Sequence, residues 1–319
     1  TRPHLITEGF VRAMRPRPAY VVAIDMGGTN TKYGVVSADR TLLFAGSSPT
    51  PFTLGRNVLL EHLKRIASQL IAEAERNSIR PARIGIATAG WVNPQSGNVV
   101  YATENLPGWT GTKIAEEVSK FCGLPVSVEN DANALAVGEY VFGAARGVRD
   151  FICVTLGTGV GGGCYSGGKL HHGAHFFANA LGHMPVVPDG ENCTCGLKGC
   201  LEAYANAAAL LRYANGRFDS AKTLIEAANT GDPVAAHAVR ELARYLAFGL
   251  ASAIQLLDPE LVVLAGGLAQ SNPLLTESLK QHLATSLTVY GQRGLRVRSS
   301  DFGFHAGVIG AAAVAMDRD

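Results

Sequence analysis

Three cysteines and one histidine fall within residues 183–200 of a 319-residue chain that holds six cysteines in all. Cys193, Cys195 and Cys200, with His183 ten residues before the first, offer three thiolates and an imidazole. That donor set suits tetrahedral Zn2+. A disulfide would leave one of the three over, C-x-C is poor spacing for a bridge within itself, and the redox C-x-x-C pattern is absent. Free thiols are the plain alternative. Four protein ligands would leave no coordination position open, so a zinc held here is structural rather than catalytic.

A second chemical candidate is "VENDANA" (128–134). Asp131 stands just past a strand end, at the start of a helix. A carboxylate there can take the proton of a substrate hydroxyl, the requirement for general-base catalysis of phosphoryl transfer. Asp131 or Asn130 would serve equally as the N-cap of that helix.

Two glycine-rich turns could meet phosphate. In "DMGGTNTK" (25–32), Gly27 and Gly28 let backbone approach a ligand, and Thr29, Asn30 and Thr31 add side-chain donors. Lys32 adds a charge, and Asp25 could hold Mg2+ through water. "LGTGVGGG" (156–163) is a similar turn, and Gly266 and Gly267 in "AGG" could lie flat against a nucleobase or ribose. Each alone also fits a plain hairpin or strand end. Two such turns at matching places in two halves favour a shared nucleotide.

The elements that must position these residues follow from periodicity. "YVVAID", "TKYGVV" and "TLLFAG" read as strands of a meander whose first turn is glycine-rich. Leu59, Leu60, Leu63, Ile66, Ala67, Leu70, Ile71 and Ala74 recur at helical spacing over 56–77. "RIGIATAG" gives a buried strand, "GTKIAEEVSKF" a short helix, and "VSVENDANALAVGEYVFG" a strand, acidic turn and helix. "DFICVTLGTGVGGGCYSGG" then repeats the opening plan, helices follow with the longest near 233–257, and "PELVVLAGGLA" is one more buried strand. The small-residue helix "AGVIGAAAVAM" closes the chain and is expected to return to the first domain. The pattern is a duplicated α/β architecture with a cleft between halves, and ligands gather at strand carboxyl ends in such folds.

Composition narrows the function classes. A net charge of +2 leaves no electrostatic footprint for nucleic acid or an anionic membrane. No apolar run reaches membrane-spanning length. Cys122, Cys153 and Cys164 sit singly in apolar runs, as buried thiols do in a reducing cytoplasm. The arginine-bearing residues 1–18 lack the apolar core of a signal peptide and read as a flexible leader, too short for a helix-turn-helix domain.

Taken together, the motifs resemble the ROK family (repressors, uncharacterised reading frames and sugar kinases). The resemblance runs from Tyr20 onward. It rests on "DMGGTNTK", "ENLPGW" (104–109), "END" (129–131), "LGTGVGGG" and "GH…CTCGLKGCLE", the last matching C-x-C-G-x-x-G-C-x-E. It implies an α/β, two-domain actin-like ATPase (ribonuclease H-like) fold with an interdomain cleft. The N-terminal domain would take 19–131 plus 304–319, and a larger C-terminal domain with the zinc site 132–303.

The resemblance also implies roles. Asp131 would be the catalytic base, deprotonating a primary hydroxyl that attacks the γ-phosphorus of MgATP. Gly27, Gly28, Thr29, Asn30 and Lys32 would form the first phosphate loop beside Asp25, Thr158 and Gly159 the second, and Gly266 and Gly267 the adenosine-side turn. Gly90, Asn105, Asn130, His183 and Glu202 would contact the sugar, with His183 serving zinc through its other ring nitrogen. The implied partners are a small polyol and a second copy in a homodimer, and polyphosphate stays open as donor.

One departure stands out. Family sugar kinases read Glu-x-Gly-His before the cysteines, where this chain has Ala180 in "NALGH". Losing a charge-assisted hydrogen bond of roughly 1.5–3 kcal/mol costs about 10- to 150-fold in affinity or rate. The expected substrate is therefore a modified hexose or a C7-cyclitol, with plain glucose turned over weakly. An ordinary hexose kinase, a sugar-sensing regulator and a catalytically silent binding protein are the competing readings.

Overall fold

The computed structural model describes residues 18–103 and 106–317. Nearly all of the expected leader therefore lies outside the described residues, as does Asn105.

The chain opens with the meander β1 (Tyr20–Met26), β2 (Asn30–Ser37) and β3 (Leu42–Pro49), followed by α1 (Arg56–Arg76) and β4 (Arg83–Thr88). A small hairpin, β5 (Trp91–Asn93) and β6 (Asn98–Tyr101), precedes α2 (Ile114–Cys122), β7 (Val126–Asn130) and α3 (Asp131–Phe142). The second half begins with β8 (Phe151–Leu156), β9 (Val160–Ser166) and β10 (Lys169–Leu170). Four helices follow: α4 (Glu202–Ala205), α5 (Ala207–Tyr213), α6 (Ala221–Asn229) and α7 (Pro233–Leu257). The chain ends with β11 (Leu261–Ala265), α8 (Pro273–Ser286), α9 (Tyr290–Arg293), β12 (Arg296–Ser299) and α10 (Ala306–Met316).

Among the described residues there are two five-stranded sheets, ordered β3-β2-β1-β4-β7 and β10-β9-β8-β11-β12. Each pairs an antiparallel meander with parallel strands, β1 with β4 and β7, β8 with β11 and β12. The central strands are buried on both faces, so they read as continuous apolar runs and their alternate residues go to different layers. Val22, Ile24, Ile84 and Ile86 join α1 and α2, while Val21, Ala23 and Ala87 face α3 and α10. In the second sheet Ile152, Val154, Val262 and Leu264 meet the α5–α8 layer. Phe151, Cys153, Leu261 and Val263 face α3 and α10 again. The order is therefore helices, sheet, a shared helix pair, sheet, helices. Each fully buried Val, Leu or Ile side chain in these layers stabilises it by about 1.5–3 kcal/mol.

The shared layer explains the composition of the last helix. A Cβ at Gly310 would lie 2.7 Å from the Ala134 carbonyl oxygen, and one at Gly85 in β4 would lie 1.9 Å from that of Ala311. Only glycine allows α10 to lie this close to α3 and to the first sheet. Parallel strands share a direction within each sheet, and Asn130, Leu156 and the residue after Ala265, at the ends of β7, β8 and β11, line one cavity, with Asp25 next to the last residue of β1.

Candidate active site

The β7–α3 junction sets Asp131. Asn130 is the N-cap: its side-chain Oδ1 accepts from the Ala132 and Asn133 amides at 3.0 and 3.1 Å. Its Nδ2 donates to the Gly90 carbonyl at 2.9 Å and to Asp131 Oδ1 at 3.0 Å. The capping duty thus falls to Asn130, and Asp131 occupies the first helical position. Burial raises the Asp131 pKa, opposed by hydrogen bonds from the Ala132 amide and the Asn130 side chain. A carboxylate with a raised pKa is a stronger proton acceptor, as a general base requires.

Behind this turn, Glu129 is almost fully buried. One of its oxygens accepts from the Asn130 amide at 2.9 Å and the Asn133 side chain at 3.2 Å, and the other meets His172 Nε2 at 2.8 Å. The strand end carrying Asp131 is thereby tied to the segment leading to His183.

The β1–β2 turn carries Gly27, Gly28 and Thr29, with Asn30 opening β2. Gly28, Thr29 and Asn30 are exposed, and a Cβ at Gly28 would meet nothing nearer than the Phe52 ring at 3.9 Å. The turn is open to an incoming ligand. Lys32 stands opposite Asp25 in the ladder, but its Nζ donates to the Phe304 carbonyl at 3.0 Å and lies 3.8 Å from that ring's centre. Burial and the nearby Asp131 charge push Asp25 up to about 7, against the pull of Lys32.

The second turn and the β11 end meet through glycine. Gly266 has φ +88°, and a Cβ there would lie 2.3 Å from the Leu156 carbonyl oxygen. This brings Gly266 and Gly267 beside Gly157, Thr158 and Gly159. Glu202 opens α4 and bridges that turn to the cysteine loop, its Oε2 accepting from the Val160 amide at 3.0 Å and its Oε1 from Thr194 Oγ1 at 2.7 Å.

The donor atoms of His183, Cys193, Cys195 and Cys200 all lie within 4.8 Å of one another. Cys195 Sγ to Cys200 Sγ is 3.7 Å, and Cys193 Sγ to His183 Nδ1 is also 3.7 Å. With Zn–S bonds near 2.3 Å, the edge of a tetrahedron is about 3.8 Å. The four residues fit the ion. Burial, then the neighbouring thiols, pushes Cys200 up to about 12, and a bound cation would favour its thiolate form.

One cavity of about 430 Å3 gathers most of these groups. Gly90, Asn130, Asp131, Thr158, Gly159, His183, Glu202, Gly266 and Gly267 line it, as does Ala180. The β1–β2 turn and Lys32, expected from the sequence to meet phosphate, are not in its wall; Asp25 connects with it through the charge of Asp131. Asn105 lies outside the described residues. Gly157, Thr158 and Gly267 also line a neighbouring cavity of about 540 Å3, walled by Ala207, Ile225 and Gln270.

The wall includes residues that sequence reasoning did not select: Trp91, Asn133, Phe176 and Asn179. Asn133 carried a usable signal, since a polar residue one turn after Asn130 on an apolar helix needs a buried partner. It finds Glu129 and also accepts from Asn179 Nδ2 at 2.8 Å.

Comparison with known proteins shows the family and the fold. The model of the ROK family matches residues 21–318. The chain belongs to the ROK family. A glucokinase from Streptomyces coelicolor is 36% identical over 326 aligned residues, covering 93% of this chain and 98% of that one. The crystal structure of a ROK family glucokinase from Streptomyces griseus, in complex with glucose and AMPPNP, matches with a TM-score of 0.82 and 34% identity. That match covers 94% of this chain and 100% of the other, and the shared fold is the two-domain actin-like ATPase fold. A ROK family transcriptional regulator, a homologue of the E. coli MLC protein, matches with a TM-score of 0.83 and 26% identity over 92% of this chain and 77% of its own. Among the described residues, no helix is long and apolar enough to cross a membrane.

Proposed function

We propose that this ROK chain transfers the γ-phosphoryl group of ATP to the primary hydroxyl of a hexose-like polyol, a modified sugar or C7-cyclitol in preference to plain glucose. Its enzyme class is phosphotransferase with an alcohol acceptor. The observation that carries the reading is Asp131 in one cavity with the turns at Gly157–Gly159 and Gly266–Gly267.

Phosphoryl transfer needs positioning, charge neutralisation and little covalent help from the protein. A polyol hydroxyl within hydrogen-bond reach of Asp131 gives its proton to the carboxylate as its oxygen attacks phosphorus. Asn130, fixed between Gly90 and Asp131, keeps that carboxylate oriented. The turns at Gly27–Asn30 and Thr158–Gly159 would hold the donor phosphates, and the cavity beside Gly267, Ala207, Ile225 and Gln270 would take the adenosine. Bound Mg2+ would neutralise phosphate charge, with Asp25 the residue to hold it. His183, Cys193, Cys195 and Cys200 would hold Zn2+, leaving His183 Nε2 for a substrate hydroxyl. Residues 19–131 with 304–319, and 132–303, are the two domains proposed to close over the substrate.

Ala180 in the cavity wall supports the choice of acceptor, because it offers no carboxylate to a sugar hydroxyl. Asp131→Asn tests the chemistry. We expect kcat to fall about 10²–10⁴-fold with little change in the polyol KM. An asparagine variant with unimpaired turnover would remove Asp131 from the mechanism. Polyol binding without turnover by the wild type, with specific DNA binding, would move the chain to the regulator class.

A further inference from the structure

Phe176 stands at φ +65°, a left-handed conformation that bulky side chains rarely adopt. Such strain persists only where the surroundings impose it, and it clusters at functional sites. Fold stability gives no reason for it: Phe176 is half-buried and belongs to none of the three apolar core clusters. A neighbour shares the backbone geometry, since Asn179 has φ +69°, but asparagine tolerates that region.

The location of the residue supplies a reason. Among the described residues, Phe176 alone lines both the acceptor cavity of about 430 Å3 and a second cavity of about 660 Å3. The second cavity is bordered by Gln95, Glu129, Lys169 and His172. Glu129 directly precedes Asn130 and Asp131, so this space lies immediately behind the strand end that carries the base. Ala178, Asn179, Ala180 and Trp91 stand in the same wall of the acceptor cavity, and none of them carries a charge. A substituent projecting from an acceptor toward Phe176 would be directed at the residue shared with the second cavity, whose wall is mixed, with Val137, Leu170 and Val314 beside its polar groups.

We infer that Phe176 is a specificity-determining partition. Its ring closes the acceptor cavity against the second cavity and limits acceptors to a single ring without a bulky substituent on that side. The inference rests on the reading of the first cavity as the polyol site.

Calorimetric titration of wild type and Phe176→Gly tests it, with glucose as the small probe. N-acetylglucosamine, N-acetylmannosamine and maltose are the bulky ones. Glycine is suited to φ +65°, and Phe176→Ala supplies the same readout should the glycine variant not fold. The expected result is a rise of about tenfold or more in affinity for at least one bulky probe relative to glucose, as relief of a steric block in a pocket allows. An unchanged ratio for every probe overturns the partition. A uniform loss for all probes also overturns it, since that is the signature of a stacking platform. Failure of the wild type to bind any ring polyol refutes the polyol reading itself, and the partition with it.

Discussion

Asp25→Asn offers a quantitative test of the donor side. Asp25 stands next to the end of β1, and the first turn of α10 closes over its carboxyl: a Cβ at Gly307 would lie 2.0 Å from Asp25 Oδ2. Burial, then the Asp131 charge, raises its pKa from 3.8 to about 7. A shift of about three units corresponds to about 4 kcal/mol. Between the two values the folded state binds more protons than the unfolded chain, so stability falls as pH rises from about 4 to about 7 and levels off above that. An amide does not ionise and removes this slope. Urea unfolding should therefore find the variant equal to wild type near pH 4 and more stable at pH 8. About 4 kcal/mol is the upper bound, because the carboxyl is only partly shielded from water. Saturating MgATP should narrow the gap at pH 8, as a cation beside Asp25 stabilises its charged form. A variant that gains no stability between pH 4 and 8 would refute the reasoning.

Two further outcomes follow from the acceptor side of the cavity. Ala180→Glu should raise kcat/KM for glucose by about 10- to 150-fold, the worth of one charge-assisted hydrogen bond, and lower it for the preferred acceptor. A coupled assay on both acceptors checks this, and no change for glucose contradicts it. Metal analysis of the purified protein should find about one zinc per chain, lost together with thermal stability in Cys195→Ser. A metal-free, fully stable wild type would overturn the zinc assignment.

The parts of the site that were legible in the sequence are those built from near neighbours. Cys193, Cys195, Cys200 and His183 lie close along the chain, so their donor chemistry could be read directly. The strand–turn–helix around Asp131 was equally local, yet whether Asn130 or Asp131 capped the helix depended on side-chain geometry that residue type leaves open. Lys32 shows the limit of motif reading. Its ammonium is held by the Phe304 carbonyl, 272 residues away, which no local pattern announces. The small residues of α10 signalled close packing, but not that this helix would lie with α3 between two sheets. Phe176 was invisible for a different reason: its significance lies in a backbone angle and in two cavities, neither of which leaves a mark on residue spacing.

The central claim is phosphoryl transfer to a polyol other than plain glucose. It is tested most directly by measuring kcat/KM with MgATP across hexoses, amino sugars and C7-cyclitols. The account predicts phosphorylation at a primary hydroxyl, with a modified hexose or cyclitol well ahead of glucose. Glucose as the best acceptor, or no turnover of any polyol, would contradict it.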